Sequence, residues 1–154
     1  MLNRHLLTKL LVGSLILLVS ACAGVKQAGN GKVPIYSDYI SKNKLEEVKK
    51  ITSFRFHGWQ SLDNRHLILS ASFNRPYLIS LKNYCTDLNY TDTIIVDSSG
   101  SSLQAKFDSI IPVQHHRSKC YIKSIHKITR EQVSQITSLR KNLKKAEEKT
   151  KAQS

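Results

Sequence analysis

Acid–base chemistry needs histidines and carboxylates that a fold can bring within hydrogen-bond reach. The densest such stretch here is Phe56-His57-Gly58-Trp59-Gln60-Ser61-Leu62-Asp63-Asn64-Arg65-His66. If His57, Asp63 and His66 converged in a deep pocket, they would suit a small hydrolase. Trp59, with His57 and His66, would offer a surface for a ligand to stack on. The same residues also read as a hairpin: Asp63-Asn64 are good turn residues, and the two histidines would then sit at its rim. A tryptophan directly after Gly58 would plug one end of a barrel. His115-His116 is the other tempting pair, but adjacent side chains diverge and rarely chelate one metal, so a solvated basic loop is the plainer reading. Asp87, Asp92, Asp97 and Asp108 fall at expected turns and strand ends. No nucleophile elbow, phosphate-binding loop or dinucleotide fingerprint occurs in the sequence. These residues imply no catalytic constellation, metal or cofactor.

The cysteines are more informative. Arg4, His5 and Lys9 precede Leu10 to Val19, an apolar run of ten residues. Crossing ~30 Å of hydrocarbon takes ~20 apolar residues, so this run reads as an export signal that is removed. Val19-Ser20-Ala21-Cys22 resembles the bacterial lipobox, in which the cysteine sulfur receives a diacylglycerol. The signal is then cut before the cysteine and the new amino group is acylated. The alternative is a plain secretory signal with a chance cysteine. Each buried CH₂ contributes ~0.8 kcal/mol, so three chains on Cys22 would hold the protein durably on a membrane. Ala23, not Asp, follows. By resemblance to the sorting rule of Gram-negative lipoproteins, that implies the outer membrane, facing the periplasm.

Lipidation of Cys22 would leave Cys85 and Cys120, and an oxidising compartment favours a disulfide between them. Closing a loop of that length is worth ~4 kcal/mol in the chain-entropy model. A metal pair or two buried thiols are the alternatives, though two cysteines without neighbouring ligands make a poor metal site.

The 154-residue chain carries a net charge of +13. Removing residues 1–21 takes away Arg4 and Lys9 and no acids, which leaves +11. In a cytosolic protein that charge would point to nucleic acid. Behind an export signal, no nucleic acid is expected, and anionic lipid headgroups or acidic envelope polymers are nearer partners. A solvated basic surface with no specific partner is the bland alternative.

The elements that must carry these residues follow from patterning. Residues 1–21 form the signal, 22–36 the lipidated cysteine and a flexible tether, 37–128 a β domain, 129–148 a basic amphipathic helix and 149–154 a disordered tail. A short helix is expected within 37–50. Alternating or β-branched stretches predict strands at 51–59, 66–73, 77–81, 92–97, 103–111 and 120–128. A loop or helical turn should hold Cys85. About six short strands argue for a mainly β fold, a small antiparallel barrel or sandwich with a C-terminal helix. The core candidates are Phe54, Phe56, Trp59, Leu67, Leu69, Leu78, Leu81, Ile95, Leu103, Phe107, Ile110, Ile122 and Ile125. Tyr77, Tyr84, Tyr90 and Tyr121 could line a ligand surface, but packing around the Cys85–Cys120 link is the expectation. Thr129-Arg130-Glu131-Gln132 matches a capping box. Val133, Ile136, Leu139, Leu143 and Ala146 then recur at helical spacing. That stripe would dock on the domain's own core or on a partner helix.

"FRFHGWQSLDNRHLIL", "PYLISLKNYCTDL", "FDSI" and "KCYIKSIHKI" together resemble a domain-of-unknown-function family of small Gram-negative bacterial lipoproteins. Its marks are a Trp before a Leu-Asp turn, a Tyr-Leu strand running into a cysteine and a Cys-x-Ile-x-x-Ile close. Trp59, Asp63, Tyr77, Cys85, Cys120, Ile122 and Ile125 fall in that order, over residues 51–128. The resemblance implies the anchor, the bridge and the domain limits, and no activity. The expectation is a non-enzymatic binding or structural module. It would be held at a membrane by its N-terminal lipid, with the basic helix contacting an anionic envelope surface or a protein partner. The alternative is a small periplasmic hydrolase or carbohydrate-acting enzyme.

Overall fold

A computed structural model describes residues 35–113 and 118–152. Cys22, the expected signal, His115-His116 and the last two residues lie outside them. The element order is α1 (Ile35–Lys42), β1 (Glu47–Val48), β2 (Lys50–Ile51), β3 (Gly58–Ser61), β4 (His66–Ser70) and β5 (Pro76–Leu81). A 3-10 turn (Thr86–Asn89), β6 (Ile94–Asp97), β7 (Leu103–Gln104), β8 (Ser109–Pro112), β9 (Cys120–Lys127) and α2 (Arg130–Ala152) follow. All pairing is antiparallel, in the order β3-β4-β5-β9-β8-β6, with β1 also on β9 and a separate β2–β7 pair. The fold is mainly β: a curled half-barrel of six strands with a C-terminal helix.

β4 and β5 are buried along almost their whole length because both faces of the sheet are covered there. Successive strand residues face opposite ways. Leu67 and Leu69 pair with Ile79 and Tyr77 and face the barrel interior, with Leu103, Ile110, Ile122 and Ile125. Ile68 and Leu78 face the other way and meet Tyr36 of α1 and Ile136 of α2. Thus the apolar stripe of α2 docks on its own domain at its N-terminal half, where Ile136 is fully buried.

Local signals explain several elements. Gln132 N–H donates to Thr129 Oγ1 at 3.2 Å, and Thr129 N–H donates to Gln132 Oε1 at 2.8 Å, which is the expected capping box. The Arg130 guanidinium lies 4.2 Å from the Phe73 ring centre and bonds Asn74, pinning the helix start to the β4–β5 turn. In β9 the spacing Ile122-x-x-Ile125 breaks period-two alternation. The register shift opposite Ser80/Leu81 lets both isoleucines face the interior.

The expected strand 51–59 splits. β2 ends at Ile51, Ser53 takes a left-handed backbone, and β3 starts only at Gly58. Phe54 and Trp59 pack half-buried on the inner core, whereas Phe56 is exposed. The expected strand 103–111 is broken by a tight turn at 105–108, so Phe107 is 76% exposed and not a core residue. Ile95 is exposed too, because no element among the described residues covers the outer face of β6. Tyr77 is buried but Tyr84, Tyr90 and Tyr121 are exposed, so the four tyrosines do not form one packed set. The helix in 37–50 begins at Ile35, and Tyr36, two per cent exposed, is core and not tether. Residues 149–152, expected as tail, continue α2.

Candidate functional site

The turn between β3 and β4 is built on Asp63. Its Oδ1 accepts the N–H groups of Arg65 at 2.6 Å and His66 at 2.7 Å, the local bond that makes Asp a turn former. The same carboxylate lies 3.0 Å from His66 Nδ1 through each oxygen. Burial pushes the Asp63 carboxyl up. The bond and charge of His66, with the two backbone donors, outweigh it and hold the group below the usual carboxylate range.

His66 lies on the helix-covered face of the sheet, with its ring 5.3 Å from that of Tyr36. Burial first, and the Asp63 charge second, push the Tyr36 phenol up to about 12, while Arg140 pulls the other way. The Tyr36 hydroxyl, Arg140 Nε and Asn64 Oδ1 are buried without a hydrogen-bond partner among the described residues, as is His126 Nδ1. Burial also holds His126 below the ordinary histidine value, against the opposing pull of Glu47. Tyr36, Asp63, His66 and Arg140 therefore form a polar cluster where the two helices meet the sheet. Only Asp63 and His66 were singled out in the sequence. Arg140 could have been found, because it falls four residues after Ile136 on the docked stripe. Tyr36 gave no such sign.

The three residues read as a ligand surface diverge. Trp59 pairs with Leu69 and packs on the inner core. His66 is buried on the opposite face. His57 is exposed, its ring edge-on to Phe73 at 6.3 Å. The Asp63 side chain is 28% exposed and that of His66 11%, and the contact the pair makes is the one that fixes the β3–β4 turn. Asp87, Asp97 and Asp108 sit at turns or strand ends, as expected. Asp97 pairs with Lys119 at 2.8 Å. Among the described residues no three histidine, cysteine or carboxylate side chains group as metal ligands.

Cys85 and Cys120 are joined, with Cα atoms 5.8 Å apart. The bridge ties the segment after β5 to the first residue of β9 and is itself buried. Beside it lies a cleft of about 420 Å³ whose walls include Tyr84, Asp87, Lys119 and the disulfide.

No curated protein and no solved structure matches this chain. A family described as "Family of unknown function (DUF6491)" matches residues 4–147, nearly the whole sequence. The chain belongs to the DUF6491 family of unknown function.

Proposed function

We propose that this chain is a lipid-anchored protein of the Gram-negative cell envelope, held through Cys22 on the periplasmic leaflet of the outer membrane. Its β domain is then a non-enzymatic binding or structural module. The observation that carries the anchor is an ordered one: Arg4 and Lys9, the apolar run 10–19, then Val19-Ser20-Ala21-Cys22. The Cys85–Cys120 bridge supports the reading, since disulfides persist in oxidising compartments. The divergence of Trp59, His57 and His66 supports a module without a shared catalytic pocket. Lys141, Lys144, Lys145, Lys149 and Lys151 are all exposed in the second half of α2, which suits an anionic surface or an acidic protein partner.

The test is metabolic labelling with an alkyne fatty acid, followed by membrane fractionation. The wild-type chain should carry label and sediment with outer membranes, and Cys22→Ser should carry none. A wild-type chain that is cut but unlabelled overturns the anchor. One observation favours the enzyme alternative, a small periplasmic hydrolase or carbohydrate-acting enzyme: the Asp63–His66 contact lies beside an unpartnered Tyr36 hydroxyl. Hydrolysis of ester or glycoside probes that His66→Gln abolishes would establish it.

A further inference from the structure

The turn that interrupts the expected strand at 103–111 is rigid for its length. Asp108 is 4% exposed, and its carboxylate accepts the Gln104 N–H at 2.6 Å, while Asp108 N–H donates to the Gln104 carbonyl at 3.1 Å. Lys106 is held at φ 73°, a left-handed backbone unfavourable for a lysine. Its N–H and carbonyl are both used, by the Ile122 carbonyl at 2.8 Å and Lys82 Nζ at 3.2 Å. The product of this construction is Phe107, presented to solvent at 76% exposure. A flexible loop would fold such a ring back onto the protein; a fixed turn keeps it out.

The surroundings of Phe107 are basic and aromatic. Lys82 Nζ lies 5.6 Å from the Tyr121 ring centre. Tyr121 is 43% exposed and sits opposite Ser109, directly after the turn. Lys123, two residues further along β9, is exposed as well. The carboxylates next to this surface are already engaged: Asp108 is buried and Asp97 is paired with Lys119. Lys82, bonded to the Lys106 carbonyl and beside the Tyr121 ring, Lys106, next to Phe107 in the chain, and Lys123, two residues after Tyr121, are all exposed and give the aromatic tip a cationic margin. That combination matches the headgroup region of an anionic bilayer, where amphipathic rings sit and each nearby lysine is attracted to acidic lipid.

We propose that the Phe107 turn seats on anionic phospholipid, with Phe107 and Tyr121 in the headgroup layer and Lys82, Lys106 and Lys123 against the phosphates. The proposal rests on the lipid-anchored reading only for what brings the domain to the bilayer. Counted at full extension, the 13 residues from Cys22 to Ile35 could span at most about 45 Å between anchor and domain. The surface is distinct from the lysines of α2, so the two can be separated by mutation.

The full lipidated chain carrying Phe107→Trp is placed on phosphatidylcholine vesicles, with or without phosphatidylglycerol, and its emission is compared with that of the wild type, whose only tryptophan is Trp59. With phosphatidylglycerol, the added emission should shift to shorter wavelength and be quenched by brominated acyl chains. Without it, neither should occur. Replacing one of the three lysines by Gln should weaken seating about fivefold, and Lys106→Glu with Lys123→Glu, whose side chains make no bond within the turn, should abolish it at an unchanged thermal midpoint. Lys144→Gln with Lys145→Gln should leave it intact. Equal emission on both vesicles, or quenching that survives the charge reversal, overturns the proposal. So does protection of the added tryptophan only by a protein from envelope extract. Failure of the anchor is a separate outcome: the chain then leaves phosphatidylcholine vesicles altogether, whereas failure of the seat leaves it bound and unquenched.

Discussion

The two halves of the curled sheet are built to different rules. In the β3-β4-β5 half, α1 and α2 cover the outer face, so Ile68 and Leu78 are as inaccessible as Leu67 and Ile79 on the inner face. In the β8-β6 half nothing among the described residues covers the outer face, and Ile95, Phe107 and Tyr121 remain exposed. One half spends its apolar side chains on stability. The other presents them, on a backbone that Asp108 and the disulfide keep in place. Exposure of apolar residues on a rigid platform is what an interaction surface requires.

Substitutions should separate the halves, and the largest effect belongs to the covered one. Ile79→Ala, fully buried between strands, should cost about 3–4 kcal/mol in chemical denaturation. Cys85→Ala with Cys120→Ala should cost about 2–5 kcal/mol, and unfolding under reducing conditions should then no longer differ from that in oxidising buffer. Ile136→Ala, at the seam between α2 and the sheet, should cost about 2–3 kcal/mol. A loss below about 0.5 kcal/mol there would mean that the helix does not hold the outer face. Ile95→Ala and Phe107→Ser, on the open half, should stay within about 0.5 kcal/mol of wild type. A large loss at either would break the contrast between the halves.

Titration sharpens the same comparison, because the shifted buried groups lie under the helices. His126 has a folded value below its ordinary 6.5, so its contribution is present above pH 6.5 and fades as pH falls below it. Asp63, depressed from 3.8, contributes above that value and loses its contribution as pH drops through the folded value. Stability should therefore decline in two stages on acidification, and His126→Phe should flatten the first. Tyr36 runs the other way: its raised value makes its contribution complete below pH 10 and lost as pH climbs towards about 12. Tyr36→Phe should remove that alkaline loss. It should cost almost nothing at neutral pH, because the hydroxyl it deletes has no partner.

Much of this arrangement was legible from local chemistry. Thr129 and Gln132 announced the start of α2 because a capping box is a four-residue affair. Asp63-Asn64 announced the hairpin, since the carboxylate bonds its own backbone two and three residues on. Other features were hidden because hydrophobicity does not say which side of a sheet is covered. Phe107 and Ile95 read as core by type, yet lie where the described residues provide no second layer. Tyr36 read as part of a polar tether, yet is buried because α1 lies across Ile68 and Leu78. For the site, Asp63 and His66 were visible as neighbours in sequence, but Trp59 was grouped with them. Its register opposite Leu69 turns it to the other face.

By itself the sequence determined what short-range chemistry controls. That covers a mainly antiparallel β chain, its turn residues, the capped helix and the cysteine pair. Tertiary structure alone decided which apolar residues are core and which are surface. A strand shows two faces to its neighbours, and only the packing of α1 and α2 settles which of them water can reach.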